Sequence, residues 1–411
     1  MGEPHLFFVS GGIKMTLSNR LDNVKLFYFI SFSAAFSQGI FSMFAGLYLI
    51  GIGYSESVAG NILSINTLSI ALGSVVSAYL IERIGRKRSF YLSCTLISVS
   101  MVFMVAFRSL TAITAFVILN GFGLSIRATA EGLFLAENTE PSNRLKAYSH
   151  NFVITFAGFM AASFAGGHLS TFFSDTLMLK NSIFYISLIS SVFTMLFLFP
   201  ISLITENNTS QARSLRECIK GFSIIRRSDI ALYILYYSLT GIGAGMVVPF
   251  FSIYLKYSMS LTDASIGSIL SFAQFGCIAG GLLVPYLTRS MGRHRTAVMC
   301  QLLSIPFLIS IAFPQGIVLV YISFFMRNGL MNMATPLNTS IFMDLVEPVE
   351  RSNFSSLLSL FSSLSRAGGI SIGGYMMQHF SYHSPYYLTT ILYLSAIGVF
   401  VYVTRKSRKA A

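Results

Sequence analysis

Charged residues are scarce in this chain: Asp, Glu, Lys and Arg together make up 10% of its 411 residues, against about 25% in soluble globular domains. So few charges cannot cover the surface of a water-soluble protein of this size, and a hydrophobic content of 54% excludes a disordered or fibrous chain. The four cysteines have neither disulfide nor metal-ligand spacing. The nucleotide-binding pattern G-x-x-x-x-G-K-[ST] does not occur, so transport driven through that ATP-binding motif is also excluded.

What the chain has instead is long, continuous apolar runs. A helix needs about 20 mostly apolar residues to cross a bilayer, whereas a transmembrane barrel alternates apolar and polar residues. The runs therefore predict twelve helical spans, at about 26–50, 57–81, 89–107, 112–136, 147–170, 182–204, 230–255, 265–288, 297–313, 316–343, 353–378 and 385–404.

The basic residues fall mainly on one side of these spans. With both termini on the same side, 22 of the 28 Lys and Arg residues face that side, three face the other and three lie inside spans. Because cytoplasmic loops are enriched in Lys and Arg, we expect a multi-pass protein of the cytoplasmic (inner) membrane with both termini in the cytoplasm. The net charge of +13 then reflects orientation and indicates no nucleic-acid partner.

The second half of the chain repeats the first at an offset of 207 residues. At this offset landmark residues coincide: Gly60 with Gly267, Gly85 with Gly292, Arg86 with Arg293, Glu137 with Asp344, Arg144 with Arg351, and Gly166-Gly167 with Gly373-Gly374. Because six is an even number of spans, both halves begin on the same side of the membrane. The predicted fold class is therefore an all-α membrane protein of two six-helix bundles, parallel repeats related by an axis along the membrane normal.

The predicted organisation has five parts. These are a cytoplasmic N-terminal segment (1–25), the first bundle (26–204), a cytoplasmic central loop (205–229), the second bundle (230–404) and a basic cytoplasmic tail (405–411). Within the loop, the stretch from Ser214 to Glu217 follows the capping-box pattern. We predict either a short amphipathic helix on the membrane surface or a plain polar linker there.

The segment after the second span carries the most specific motif. It reads Ala78-Tyr-Leu-Ile-Glu82-Arg83-Ile-Gly85-Arg86-Lys87-Arg88, and Thr288-Arg289-Ser-Met-Gly292-Arg293-His294-Arg295 is a weaker copy in the second half. The motif resembles the signature of the major facilitator superfamily, G-x-L-a-D-r-x-G-r-k, with Ala78 and Glu82 in place of its Gly and Asp. Together with the twelve spans, the parallel repeat and the central loop, the resemblance covers nearly the whole chain.

The motif also has a physical interpretation of its own: Gly85 permits a tight turn, and the basic residues after it resist crossing the bilayer. In the family, the loop acid and Arg pair with an acid that ends the fourth span, which implies Glu82, Arg86 and Glu137 here. The predicted gating residues are Glu82, Arg83, Gly85, Arg86, Lys87, Glu137, Arg144, Gly292, Arg293, Asp344 and Arg351. The alternative is that these charges only set topology and folding.

Polar residues inside the spans form a second candidate set. In the family fold the first, fourth, seventh and tenth spans line a central cavity, and the predicted substrate or proton pathway consists of Gln38, Asn120, Arg127, Glu131, Arg327, Asn338 and Arg366. Arg127 and Glu131 are four residues apart, so a pair that is neutralised within its own helix is the alternative to a transport role. Arg327 and Arg366 have no acidic neighbour in the sequence, and an Arg can hold a carboxylate or phosphate with two hydrogen bonds.

The resemblance implies a secondary active transporter that works by alternating access without a cofactor or metal ion. We expect a monomer in the lipid bilayer, a small-molecule substrate, and protons as the coupling ion with Glu131 as their carrier. The favoured function is proton-coupled export of a drug-like compound or metabolite. Uptake or facilitated diffusion of a small anionic or zwitterionic nutrient is the alternative, and a receptor or enzyme built on a transporter scaffold is a further one, although no catalytic constellation occurs in the sequence.

Overall fold

Helices make up almost all of the part of the chain that can be described. The computed structural model describes residues 17–179, 181–196, 198–205, 228–313, 316–343 and 351–410, and within these ranges no strand occurs. The predicted amphipathic segment of the central loop, the acid Asp344 and the side chain of Arg351 lie outside the described residues.

Twelve long helices follow one another through the described ranges. The first six are α1 (Leu17–Gly51), α2 (Glu56–Ile84), α3 (Arg86–Ala106), α4 (Leu110–Asn138), α5 (Pro141–Thr171) and α6 (Ser182–Leu196). The second six are α7 (Ser228–Val247), α8 (Asp263–Met291), α9 (Arg293–Ala312), α10 (Ile317–Met343), α11 (Arg351–His379) and α12 (Ser384–Ala410). Shorter turns extend α5 (Phe172–Thr176), α6 (Leu198–Leu203) and α7 (Val248–Phe250, Phe251–Ile253 and Tyr254–Ser258).

The two sets of six helices pack in the same way. In the first set, α4 lies against α2 and α3, and α1 lies against α5 and α6; in the second, α10 lies against α8 and α9, and α7 lies against α11 and α12. Each pair recurs six helices further along, as the 207-residue repeat predicts. The halves meet where α2 packs on α11 and α5 packs on α8, which are again equivalent pairs. The predicted fold of two parallel six-helix bundles is confirmed.

Length and composition qualify ten of the described helices as membrane spans. The number becomes eleven if the two parts of α2, Glu56–Ser74 and Val76–Ile84, which meet at a bend of 52°, count as one span. With 29 residues α11 is long enough to cross a bilayer, but its serines and glycines lower its mean hydropathy. Because α11 packs against both α7 and α2, much of its surface faces protein, and it needs fewer apolar side chains than a span that faces lipid.

Two equivalent glycine turns mark one end of the molecule. Gly85 (φ +86°) joins α2 to α3, and Gly292 (φ +78°) joins α8 to α9. Each donates its N–H to the carbonyl four residues earlier, at 3.0 Å, and such positive φ angles favour glycine over any residue with a side chain. We call the end that carries these turns and the basic residues around them the basic end, and the opposite end the far end.

Candidate functional site

A polar network crosses the first half on α1, α4 and α5. The Arg127 guanidinium donates to the side-chain oxygen of Gln38 (3.5 Å) and pairs with the Glu131 carboxylate (3.3 Å). The Asn151 amide of α5 donates to the other carboxylate oxygen. Both charged side chains are largely buried, with exposed fractions of 10% and 18%. The structure thus brings three predicted pathway residues together and adds Asn151, which sequence reasoning missed.

Two further predicted residues, Arg327 of α10 and Arg366 of α11, share one region of the second half. Arg327 is 4% exposed, and its guanidinium donates to Asn328 (3.0 Å) and to the Tyr393 hydroxyl (3.5 Å). The guanidinium carbon also lies 5.1 Å above the centre of the Phe251 ring. Arg366 lies within electrostatic range of both Arg327 and Tyr393, so two cationic side chains occupy the same part of the bundle.

The predicted pathway residues Asn120 and Asn338 make their hydrogen bonds within a single half. Asn120 of α4 is buried and donates to the Ser100 hydroxyl of α3 (3.1 Å). Asn338 of α10 is also buried; it donates to Tyr236 of α7 (2.6 Å) and accepts from Gln301 of α9 (3.3 Å). Each amide therefore joins neighbouring helices of one bundle.

At the basic end, the first motif links the ends of three helices. Arg86, the first residue of α3, is buried, and its guanidinium lies 2.6 Å from the Glu137 carboxylate at the end of α4. The Lys87 ammonium donates to the carbonyls of Ser202 (2.6 Å) and Ile204 (2.9 Å), which follow α6. These contacts all lie within the first half.

The remaining motif residues occupy the same end. Glu82 is half-buried and Arg83 is exposed, while Arg144, in the first turn of α5, donates to a carbonyl near the end of α4 (3.0 Å). In the second half, Arg293 begins α9 and donates to the Ser340 hydroxyl of α10 (2.8 Å). Since α10 is the repeat equivalent of α4, both motif arginines link the third helix of their half to the fourth.

At the far end, Glu56 connects the two halves. It is the first residue of α2, and its carboxylate accepts a hydrogen bond from Tyr382, which lies in the turn between α11 and α12. Beside it, the backbone N–H of Ser57 donates to the Gln378 side chain of α11 (3.3 Å). Burial and the hydrogen bond to Glu56 both raise the pKa of Tyr382, so the phenol keeps its proton and remains a donor at neutral pH.

Asp263, the repeat counterpart of Glu56, makes a second connection of the same kind. It is the first residue of α8, and its carboxylate accepts from the Ser170 hydroxyl of α5 in the other half (2.7 Å). Its second partner is the Lys256 ammonium of its own half (2.7 Å). Two carboxylates at equivalent positions thus each bind across the boundary between the halves, and we call these two hydrogen bonds the far-end ties.

Beside the far-end ties, the backbones of the two halves touch. A Cβ added at Gly60 of α2 would lie 3.1 Å from Gly374 of α11. One added at Gly167 of α5 would lie 2.4 Å from the Asp263 carbonyl oxygen and 2.8 Å from Gly267 of α8. Such an approach is possible only where side chains are missing, and the two pairs are again equivalent by the repeat. The far end of the molecule is therefore closed.

The hydrogen bonds that join described residues of the two halves lie between the far end and the middle of the helices. Of these, the one nearest the basic end runs from the Ser64 hydroxyl of α2 to the Ala367 carbonyl of α11 (2.8 Å). At 1.5 Å per residue, Ser64 lies about 12 Å along its helix from the far end, and Arg127 about 26 Å along α4. The Arg127 network therefore lies on the basic-end side of these hydrogen bonds.

Comparison with known proteins gives a family match over nearly the whole chain. The model of the Major Facilitator Superfamily matches residues 27–241 and 233–411. A stretch of 135 residues is 26% identical to the uncharacterized MFS-type transporter YttB of Bacillus subtilis (strain 168). That stretch covers 33% of this chain and spans about a third (34%) of the relative's length.

Several solved structures share the fold. A mutant of the nucleoside transporter NupG superposes with a TM-score of 0.79 at 12% identity, over 94% of this chain and 99% of that one. A bacterial homologue of the human lysosomal transporter Spinster gives 0.75 at 14% identity, over 94% and 97% of the two chains. A bacterial homologue of the iron transporter ferroportin gives 0.72 at 17% identity, over 93% and 98%.

Proposed function

Because the chain belongs to the Major Facilitator Superfamily, we propose that this transporter is secondary active and moves a small organic solute across the cytoplasmic membrane by alternating access. The far-end closure supports this proposal. The far-end ties are polar and equivalent by the repeat, so they can break together while each bundle keeps its own packing. In the state described, the pathway then opens towards the basic end, and breaking the ties opens it towards the far end.

The Arg127–Glu131 network carries the proposal that protons drive this cycle. Among the acidic residues that the structure describes, Glu131 alone lies well inside a span, and ionisable residues there are costly and often functional. A proton bound by Glu131 would end its ion pair with Arg127 and change its hydrogen bond with Asn151. Protonation would thereby alter contacts among α1, α4 and α5, the helices on which the network lies.

Replacing Glu131 with Gln is expected to abolish solute accumulation driven by a pH gradient. The change mimics the protonated carboxyl, so exchange of labelled solute down its own gradient should continue. Both activities are measured in proteoliposomes with and without an imposed pH gradient. Glu140→Gln is the matched control, because Glu140 is exposed at the basic end. Gradient-driven accumulation that survives in Glu131→Gln would contradict the assignment of the proton carrier.

Export stays a prediction from the sequence, and the same vesicles decide it against uptake. With protein molecules of one orientation, export by proton exchange moves solute and protons in opposite directions. Uptake with protons moves them in the same direction, and facilitated diffusion produces no accumulation with a pH gradient of either sign. The sign of the pH gradient that produces accumulation therefore separates the three.

Replacing Arg86 with Ala is expected to lower the transport rate while membrane insertion stays nearly unchanged. The change leaves the Glu137 carboxylate without its cationic partner, whereas the other basic residues on that side still fix the orientation. Exchange in proteoliposomes measures the rate, and fractionation of membranes measures insertion. Arg88→Ala, at an exposed neighbouring position, is the control. If Arg86→Ala transported as fast as the parent, the Arg86–Glu137 pair would only set topology.

A further inference from the structure

The second half contains two arginines inside its helices, and no described acid of that half is paired with either of them. Arg327 lies about 15 Å along α10 from the far end, and Arg366 lies near the middle of α11. The acidic residues from 228 onwards stand at helix starts or in the segment after α10: Asp229, Asp263, Asp344, Glu347 and Glu350. Of these, Asp263 is bound to Lys256. No ion pair joins either arginine to another described residue.

The first half contrasts with this arrangement. There the buried cation Arg127 has the carboxylate of Glu131 one helical turn away. At the positions equivalent by the 207-residue repeat, the second half has Ala334 in place of Arg127 and Asn338 in place of Glu131. It therefore has no ion pair equivalent to Arg127–Glu131. A charge buried in a membrane protein without a partner is strongly unfavourable. Among the described residues of the second half, no side chain supplies the negative charge that these arginines lack.

Two hydrogen-bond donors in this region have no partner among the described residues, one on Arg327 itself and one on Tyr386. The Nε of Arg327 is buried without a hydrogen-bond partner, and the contact of this guanidinium with Tyr393 is long at 3.5 Å. Tyr386 is fully buried, and its hydroxyl also has no partner. Tyr386 and Tyr393 are seven residues apart on α12 and share a face, and Tyr386 lies within electrostatic range of Arg327. By contrast, the hydroxyl of the adjacent Tyr254 donates to a carbonyl (2.6 Å).

The backbone holds this region in place. Pro249 lacks an N–H, and α7 narrows there to a 3₁₀ turn over Val248–Phe250, directly before Phe251, whose ring lies under the Arg327 guanidinium. Interrupted spans often mark binding sites in transporters. On the other side, a Cβ at Gly245 of α7 would lie 2.2 Å from the Arg366 carbonyl oxygen, so the two backbones touch beside the second arginine.

We propose that the second half contains an anion-binding site between α7, α10, α11 and α12. Its donors are Arg327, Arg366, Tyr386 and Tyr393. The ligand is an oxyanion, a carboxylate or phosphate group, because the planar guanidinium fork matches the geometry of these groups. The oxyanion would neutralise the arginines of this half, as the Glu131 carboxylate neutralises Arg127 in the first half. It is either part of the transported solute, in which case the inference rests on the proposed function, or a free ion that stays bound.

Thermal unfolding of the purified full-length protein tests the site without any transport. We expect inorganic phosphate or acetate, added to a buffer of otherwise constant ionic strength, to raise the unfolding temperature by about 2 °C or more and to saturate. Arg327→Gln should remove the saturable rise. Tyr386→Phe keeps the packing and should raise the half-saturating concentration about threefold or more. Arg108→Gln, at an exposed far-end position, should behave like the parent.

The outcomes separate the site from the proposed function. A parent whose unfolding temperature does not depend on either anion would overturn the site, even if it transports. The site would also be overturned if the unfolding temperature depended on anion concentration equally in the parent, in Arg327→Gln and in Tyr386→Phe. If the anion dependence disappears with Arg327→Gln and exchange of anionic solutes in proteoliposomes also disappears, the oxyanion belongs to the solute. If exchange persists, the oxyanion is a resident ion. If the protein binds the anion but transports no solute, the site is supported and the proposed function is contradicted.

Discussion

A single methyl group added by Gly167→Ala is expected to lower the transport rate about fivefold or more. The new Cβ would lie 2.4 Å from the Asp263 carbonyl oxygen, which belongs to backbone and cannot rotate away. Overpacking of this kind costs about 1–3 kcal/mol. Because the clash exists only when the far end is closed, it shifts the balance between the closed and open far end by about 5- to 150-fold. Exchange in proteoliposomes measures the rate.

The repeat supplies a second variant and the chain supplies a control. Gly374→Ala, the counterpart on α11, places a Cβ 2.5 Å from the Glu56 carbonyl oxygen and should have a similar effect. Gly132→Ala adds the same methyl group in α4 where no atom lies within 4 Å, and it should leave the rate unchanged. If Gly167→Ala and Gly374→Ala transported as fast as Gly132→Ala, closure of the far end would not depend on these backbone contacts.

The sequence predicted the architecture because its strongest signals are local or periodic. Apolar runs show where helices lie, and the glycines at 85 and 292 show where tight turns join them. The constant offset of 207 residues then predicts that the halves pack alike, which the equivalent helix pairs confirm. The apolar signal is weakest for α11, because a span that packs against protein on two sides needs less apolar surface.

The side-chain partners were less predictable, because they depend on how helices turn towards one another. Asn120 and Arg127 are seven residues apart on α4, so spacing places them on one face. In the structure Asn120 donates to Ser100 of α3, whereas Arg127 donates to Gln38 of α1. The partner Asn151 comes from a helix whose rotation relative to α4 no local pattern records.

The sequence also did not reveal the packing partners of the far-end glycines. Gly60 and Gly167 are recognisable as repeat landmarks, and small residues suggest close helix packing. Their partners lie in the other half, at Gly374 and Gly267. These glycines close the far end because α2 packs on α11 and α5 packs on α8, and this packing is known only from the structure.

The two ends of the molecule are therefore expected to affect the proposed transport cycle in different ways. The Arg86–Glu137 pair at the basic end lies within the first half, so breaking it removes no contact between the halves directly in the state described. The far-end ties of Glu56 and Asp263 cross between the halves. Breaking them changes the free energy of the closed state directly, and we expect the larger conformational effect there.

Replacing both Glu56 and Asp263 with Ala is expected to open the far end. Each lost hydrogen bond to a carboxylate at this partly exposed end costs about 1–2 kcal/mol. Because both ties stabilise the same closed state and lie in separate helix pairs, their contributions should add. The double variant then favours the open far end by about 30- to 1000-fold more than the parent, and each single variant by about 5- to 30-fold.

A cysteine at position 64 reports this opening. Ser64 is 6% exposed and bonded to Ala367 of the other half, so Ser64→Cys, in a background without the four native cysteines, should react slowly with a membrane-impermeant maleimide added at the far end. Labelling should accelerate in each single variant and most in the double one. Asp175→Ala is the matched control, because the one hydrogen bond that this exposed far-end carboxylate makes to a described residue comes from the adjacent Ser174. Equal labelling rates in the parent, the control and the double variant would mean that the carboxylates do not hold the far end closed, and that the remaining contacts there, among them the glycine pairs and the Ser57–Gln378 hydrogen bond, are sufficient.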